Sequence, residues 1–278
     1  MSRNIVLHSG NEKLETTLEL QSRKDAFIVC HGFSSTKDDS EEVAVFNEFV
    51  SLGFTALRLS HVTGRKEDLI FQQQALQLVG AVSFLMSKYN ISRVHLCGIS
   101  MGASNAVVAG AMDRRVSSVC SISGISDGEI WMRERHGSEF EKFRQRVSRA
   151  EANDILTGGL STFSVLYVLN PGKKFRKSIL KSRREMPQRI NYVSARTLRS
   201  LLVYRPNDFV PALKGRPCLF VHGKRDSLVS WRHTSRMSGN AESSGNTIYF
   251  DSGDHDLVMS IKRRKEIISR YLDVISTV

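Results

Sequence analysis

No stretch of this sequence stays apolar for long. The strongest runs, such as "AFIVC" at 26–30 and "PCLFVH" at 217–222, are far shorter than the roughly 20 residues a bilayer-spanning helix needs, so no transmembrane segment is expected. The opening "MSRNIVLHSGNEKLE" holds no apolar segment of signal-peptide length and turns charged at once, which predicts a cytoplasmic protein. There is no C-x-x-C pair. Cys30, Cys97, Cys120 and Cys218 each fall singly within or at the end of a strand-like apolar run, as buried free thiols do in a reducing compartment. His, Cys and carboxylate residues show no metal-ligand spacing of the H-x-x-x-H kind, so neither a metal nor another cofactor is expected. Internal repeats and low-complexity segments are also missing.

Charge is plentiful and uneven. The 278 residues carry a net charge of +12, and most of the excess lies between Ile125 and Gly215, with 18 Lys or Arg against 9 Asp or Glu. The plainest account is a solvated helical surface; anionic substrates, membrane surfaces and nucleic acid are the other partners such a charge could attract. The basic runs "GKKFRKSILKSRRE" at 172–185 and "IKRRKE" at 261–266 sit in no nucleic-acid-binding motif and have few aromatic residues nearby for base stacking, so nucleic acid is not an expected partner.

The apolar pattern alternates between strand and helix. "NIVLH" and "LETTLEL" read as two strands of a hairpin, and "AFIVCHG" as a strand covered on both faces. "SEEVAVFNEFVSLG" has helical spacing in Val43, Phe46, Phe49 and Val50 and stops at Gly53. "FTALRLS" is a strand, and "KEDLIFQQQALQLVGAVSFLMSKYN" a long helix with a stripe through Leu69, Leu76, Val79, Val82 and Leu85. Strand "SRVHLCGIS", helix "MGASNAVVAGAM" and strand "VSSVCSISG" follow. This rhythm implies a mostly parallel sheet with helices on both faces. It breaks over 126–204, a basic, mainly helical insertion poor in strand signals, and resumes with "RPCLFVHGKRD", a helix from about Trp231, strand "TIYF" and a final helix from about Leu257 to Ile275. The expected organisation is therefore a core of 1–125 and 205–278 interrupted by 126–204.

Within this frame "LCGISMGASNA" places Ser100 between two glycines at a strand-to-helix junction. A G-x-S-x-G pattern alone decides little, but a serine nucleophile needs a base, a carboxylate to orient that base, and donors for an oxyanion. The chain supplies them in the order Ser, acid, His: Asp226 just past the strand "CLFVHG" and His255 just past "TIYF", both at the carboxyl edge of the sheet where open α/β sheets bind ligands. Asp251, Asp254 and Asp256 compete with Asp226. Asp254 and Asp256 adjoin His255 in sequence, however, so a carboxylate from another loop is better placed to orient its ring. The backbone N–H groups of Met101, opening a helix, and of Phe33 in "CHGFSS" are the expected oxyanion donors, with His31 and Gly32 shaping that loop. His95 and His222 lie within strands as core residues, and His8, His61, His136 and His233 have no matching context.

Through "HGFSS", "GISMG", "VHGKRDSLV" and "GDHDL", the sequence resembles the α/β-hydrolase superfamily, in particular the feruloyl and cinnamoyl esterases, monoacylglycerol lipases and serine aminopeptidase-like hydrolases. The resemblance implies an α/β-hydrolase fold, Ser100, Asp226 and His255 as catalytic triad, and the main chains of Phe33 and Met101 as oxyanion hole. It also places 126–204 where such proteins carry a cap over the active site. Two departures stand out: "LRLSHVTGRKED" replaces the D-x-R-G-x-G-x-S segment of many relatives, and Gln77 stands where they often have Asp. The expected activity is hydrolysis of small-molecule carboxylic esters through an acyl-Ser100 intermediate. The same machinery could cleave amides or thioesters, and the same fold could serve a non-catalytic ligand-binding protein.

Overall fold

The structure, a computed structural model, describes residues 2–9, 12–61, 67–185, 190–241 and 245–276. Its elements in chain order are β1 (Arg3–Ser9), β2 (Glu12–Glu19), β3 (Asp25–Cys30), α1 (Ser40–Ser51), β4 (Thr55–Leu59), α2 (Phe71–Tyr89), β5 (Arg93–Ile99), α3 (Met101–Met112) and β6 (Val116–Ile122). A helical segment follows, with α4 (Gly128–His136), α5 (Phe140–Thr157), β7 (Thr162–Ser164), α6 (Val165–Leu169), α7 (Lys173–Glu185), β8 (Tyr192–Ser194) and α8 (Ala195–Leu202). The chain then completes β9 (Cys218–Gly223), α9 (Arg232–Asn240), β10 (Gly245–Phe250) and α10 (Ile261–Ser276).

The main sheet runs β1-β2-β4-β3-β5-β6-β9-β10. β1 and β2 form the expected antiparallel hairpin, β2 pairs antiparallel with β4, and all later pairings are parallel. Alternating side chains feed two cores, as the period-2 geometry of strands requires. Phe27 and Val29 of β3 pack with Phe46, Phe49, Ile268 and Tyr271 from α1 and α10. Ile28 and Cys30 face the opposite core, shared with Leu78, Val82 and Leu85 of α2 and Val107 of α3.

Three details differ from the sequence reading. α2 begins at Phe71, not near Lys66, because α8 takes the preceding polar groups: Thr197 Oγ1 accepts from Leu69 N (2.6 Å) and donates to Glu67 O (2.8 Å), and Ser200 Oγ accepts from Phe71 N (3.2 Å). Leu76 is 50% exposed, whereas Gln74 and Gln77 point inward, since the buried stripe of α2 runs through Phe71, Ala75, Leu78, Val82 and Leu85. Gln74 compensates by accepting from Asn105 Nδ2 at 2.8 Å. The helical segment also contains a small antiparallel pair, β7 with β8, too short to leave a periodic signal. At the neck of the segment, Gly128 N donates to Tyr204 O (2.9 Å) and Asn207 N to Ser126 O (3.0 Å).

Candidate active site

β5 ends in a turn that only a particular set of residues permits. Ser100 has φ 56° and ψ −121°, a left-handed backbone that a side-chain-bearing residue rarely adopts. Three main-chain bonds hold it there: Ser100 N donates to Ile122 O (2.8 Å), and Ser100 O accepts from Ala103 N (3.0 Å) and Ser104 N (3.4 Å). Ser100 stands at the N-cap of α3, where a serine ordinarily accepts a first-turn N–H, yet its side chain makes no capping bond. Its side chain instead faces the loop after β3: a Cβ on Gly32 would lie 3.3 Å from Ser100 Cβ and 3.7 Å from its Oγ. The flanking glycines allow the close packing this needs. A Cβ on Gly98 would come within 2.2 Å of Gly102 O, and one on Gly102 within 2.2 Å of Cys30 O.

The loop after β3 is held by groups from three directions. His31 Nε2 accepts from His61 N (3.0 Å), so its proton sits on Nδ1, which donates to Gly32 O (2.9 Å). Gly32 N donates to Glu42 Oε1 (3.3 Å). Burial, then the neighbouring Glu41 carboxyl, push the Glu42 pKa well above its ordinary value. The Phe33 ring packs against Phe71 and edge-on against Trp131, with centroids 6.1 and 6.2 Å away. Met101 opens α3, and its N–H is one of the first-turn donors that have no acceptor within a helix.

Asp226 and His255 meet across the ends of β9 and β10. Gly223 and Gly253 make the approach possible, since a Cβ on Gly223 would sit 2.4 Å from Gly253 O, and Arg225 N donates to Gly253 O (2.9 Å). His255 Nδ1 is 2.7 Å from Asp226 Oδ2. Leu228 N and Val229 N donate to Asp226 Oδ1 at 2.8 and 2.9 Å. His222 Nε2 faces two acceptors, Asp226 Oδ2 (3.1 Å) and Val229 O (2.9 Å), so it carries the proton, and His222 Nδ1 accepts from the Thr234 hydroxyl (2.8 Å). His222 is indeed buried, as its strand position implies, but it also belongs to the site. Two of the competing carboxylates do other work: Asp254 Oδ1 accepts from His255 N (2.9 Å) and Ser227 N (3.4 Å), and Asp251 pairs with Lys224 (2.8 Å).

Electrostatics follow from this arrangement. Burial would raise the Asp226 pKa, but the charge of His255 and hydrogen bonds from His222 and His255 prevail and hold it well below the usual range. Burial would lower the His255 pKa; the charge and hydrogen bond of Asp226, with the charges of Glu41 and Asp256, outweigh it and raise it to about 9. Glu41 is itself raised by burial to about 7, and its Oε1 is buried without a hydrogen-bond partner among the described residues. Sequence reasoning missed Glu41, Glu42 and the second role of His222.

Other singled-out residues lie elsewhere. His95 Nδ1 bonds Ser118 Oγ (2.7 Å) in the core, His136 stacks on Phe143, and His233 links Ser126 to Glu134. The four cysteines are buried, which pushes Cys30 and Cys120 well up and Cys218 to about 12. Gln77 Oε1 bonds His61 Nδ1 (2.9 Å). Most of the unusual turn after β4, residues 62–66, lies outside the described residues. Among the described residues no helix is long and apolar enough to cross a membrane, and no group of three or more His, Cys, Asp or Glu could hold a metal.

Neither a protein-family model nor a curated protein matches the chain. Solved structures do. DcsB, determined in complex with its substrate analogue, is 16% identical with a TM-score of 0.87 over 100% of this chain and 99% of that one. The α/β-hydrolase GrgF from Penicillium sp. sh18 is 17% identical with a TM-score of 0.83, covering 100% and 98%. The fold is that of the α/β-hydrolases. The esterase Pf2001 from Pyrococcus furiosus has it too, at 13% identity and a TM-score of 0.67 over 98% of this chain and 92% of that one. In α/β-hydrolase terms, the Ser100 turn occupies the strand-to-helix elbow, and Asp226 and His255 follow the last two strands.

Proposed function

We propose that the protein is a serine hydrolase of carboxylic esters. The observation that carries this reading is the Ser100 turn: a strained, nearly buried serine that does not cap its helix and faces the Gly32–Phe33 loop, at the sheet edge where Asp226 holds His255. In the proposed reaction His255 Nε2 takes the Ser100 proton as Oγ attacks the ester carbonyl, and the main-chain N–H groups of Phe33 and Met101 receive the oxyanion. The tetrahedral species collapses to acyl-Ser100, and His255 returns the proton to the leaving alkoxide. Water, deprotonated by His255, then releases the acid and restores Ser100. Asp226 fixes the Nδ1–H tautomer throughout.

Residues 126–204 are proposed as a cap over this site. Trp131 supports the role by touching Phe33, and Phe163 stacks on Tyr167 with centroids 6.2 Å apart. The positive charge of the segment would hasten capture of anionic esters without defining the pocket, because exposed charges act at long range and are screened. The names of structural neighbours, a hydrolase and an esterase among them, agree with this reading. A panel of p-nitrophenyl esters from two to sixteen carbons beside aminoacyl anilides tests it: ester turnover with little anilide cleavage is expected. Efficient anilide cleavage with negligible ester turnover would make the protein an amide hydrolase instead.

A further inference from the structure

The two peptide N–H groups that hold Asp226 Oδ1 belong to the peptide units Ser227–Leu228 and Leu228–Val229. The carbonyl ends of the same two units are gripped from the helical segment. Arg135 Nη1 donates to Ser227 O (2.6 Å) and to Leu228 O (3.0 Å), and Trp131 Nε1, one turn earlier on α4, donates to Leu228 O (2.9 Å). A peptide unit is planar, with N–H and C=O pointing in opposite directions, so fixing its carbonyl fixes its N–H. A cation at the carbonyl also polarises the unit and strengthens the N–H as a donor.

Arg135 bridges this loop to the end of α6. Its remaining donors reach Leu169 O (Nε, 2.9 Å) and Asn170 O (Nη2, 3.1 Å), and Asn170 Nδ2 returns a bond to Arg135 O (2.8 Å). Among the described residues, every side-chain hydrogen bond of Arg135 goes to a main-chain carbonyl, and none to a carboxylate. Only the planar fork of arginine serves diverging carbonyls in this way; a lysine ammonium presents its donors from one atom.

We propose that Arg135 is a positioning residue for Asp226: acting through the Ser227–Leu228 and Leu228–Val229 peptide units, it makes the orientation of the catalytic acid depend on the docking of the helical segment. The proposal rests on the reading of Asp226 as the triad acid. α4 is thus part of the support of the reaction centre as well as part of the roof over it.

The test compares wild type, Arg135→Met, Arg135→Lys, Trp131→Phe and Asp226→Asn in ester hydrolysis over a full pH range, with circular dichroism and thermal melting to count folded enzyme. Arg135→Met should lower kcat per folded enzyme about 10- to 100-fold, the usual cost of a misplaced catalytic group, with KM within about threefold. Its pH profile should shift toward acid, because a loosened Asp226 no longer raises His255. Arg135→Lys should recover part of the loss, and Trp131→Phe should cost about fivefold, the worth of one hydrogen bond. A folded Arg135→Met with wild-type kcat and an unmoved pH profile would overturn the proposal. Should that variant not fold, Trp131→Phe with wild-type kcat and profile overturns it equally. Full activity in Asp226→Asn, or failure of a fluorophosphonate to label Ser100 in the wild type, would instead remove the underlying reading of the site, and the proposal with it.

Discussion

Asp226 Oδ2 lies 2.7 Å from His255 Nδ1, although 29 positions separate the two residues along the chain. Their meeting depends on two glycines, Gly223 and Gly253, whose backbones touch where any side chain would intrude. Asp254, the nearer carboxylate in sequence, spends its oxygen on the N–H groups of Ser227 and His255 and shapes the loop. Asp226→Asn should therefore reduce kcat severely, by about 10⁴-fold as in analogous triads. Asp254→Asn should cost far less, and kinetics showing the reverse order would reassign the acid.

The acidic surroundings of His255 predict an alkaline pH profile. The proposed base works only when neutral, so on that reading kcat/KM rises with pH through the His255 pKa, which Asp226, Glu41 and Asp256 raise to about 9. Glu41 titrates near 7 and is ionised where that limb lies, so Glu41→Gln removes a negative charge and should move the limb toward acid. A pH–rate profile of Glu41→Gln superimposable on wild type would show that Glu41 does not act on His255.

Gly102→Ala should destabilise the protein and cripple the site together. The added methyl would lie 2.2 Å from Cys30 O and 2.5 Å from His31 O, both backbone atoms that cannot swing aside. Overpacking of this kind costs about 1–3 kcal/mol or more, and the displaced segment leads directly into the Gly32–Phe33 loop. Denaturant unfolding with an unchanged midpoint would contradict the packing described for this turn.

Much of this was legible in the sequence, for identifiable reasons. Local chemistry marks the Ser100 turn, because the glycines on either side of the serine allow a strand-to-helix packing too close for any side chain, and buried parallel strands leave continuous apolar runs. The order of Asp226 and His255 is readable because each follows a strand, Asp226 the buried β9 and His255 the partly exposed edge strand β10. Through-space partners could not. Glu42 reaches Gly32 from the first turn of α1, where acidic residues are ordinary, and His222 looks like any strand residue until Asp226 turns back toward it. The start of α2 was obscured for a similar reason: its polar groups are satisfied by hydroxyls of α8, 128 positions or more away. Leu76 was misplaced because the true buried face includes glutamines that pattern reasoning counts as polar surface.

The central claim is that Ser100 is the nucleophile, and covalent labelling tests it most directly. Treating the protein with a fluorophosphonate, measuring intact mass and mapping the adduct by peptide sequencing should give one modification, on Ser100. Ser100→Ala should stay unlabelled and folded, with ester hydrolysis reduced about 10⁴-fold or more. An adduct on another residue, or wild-type turnover by Ser100→Ala, would contradict the account.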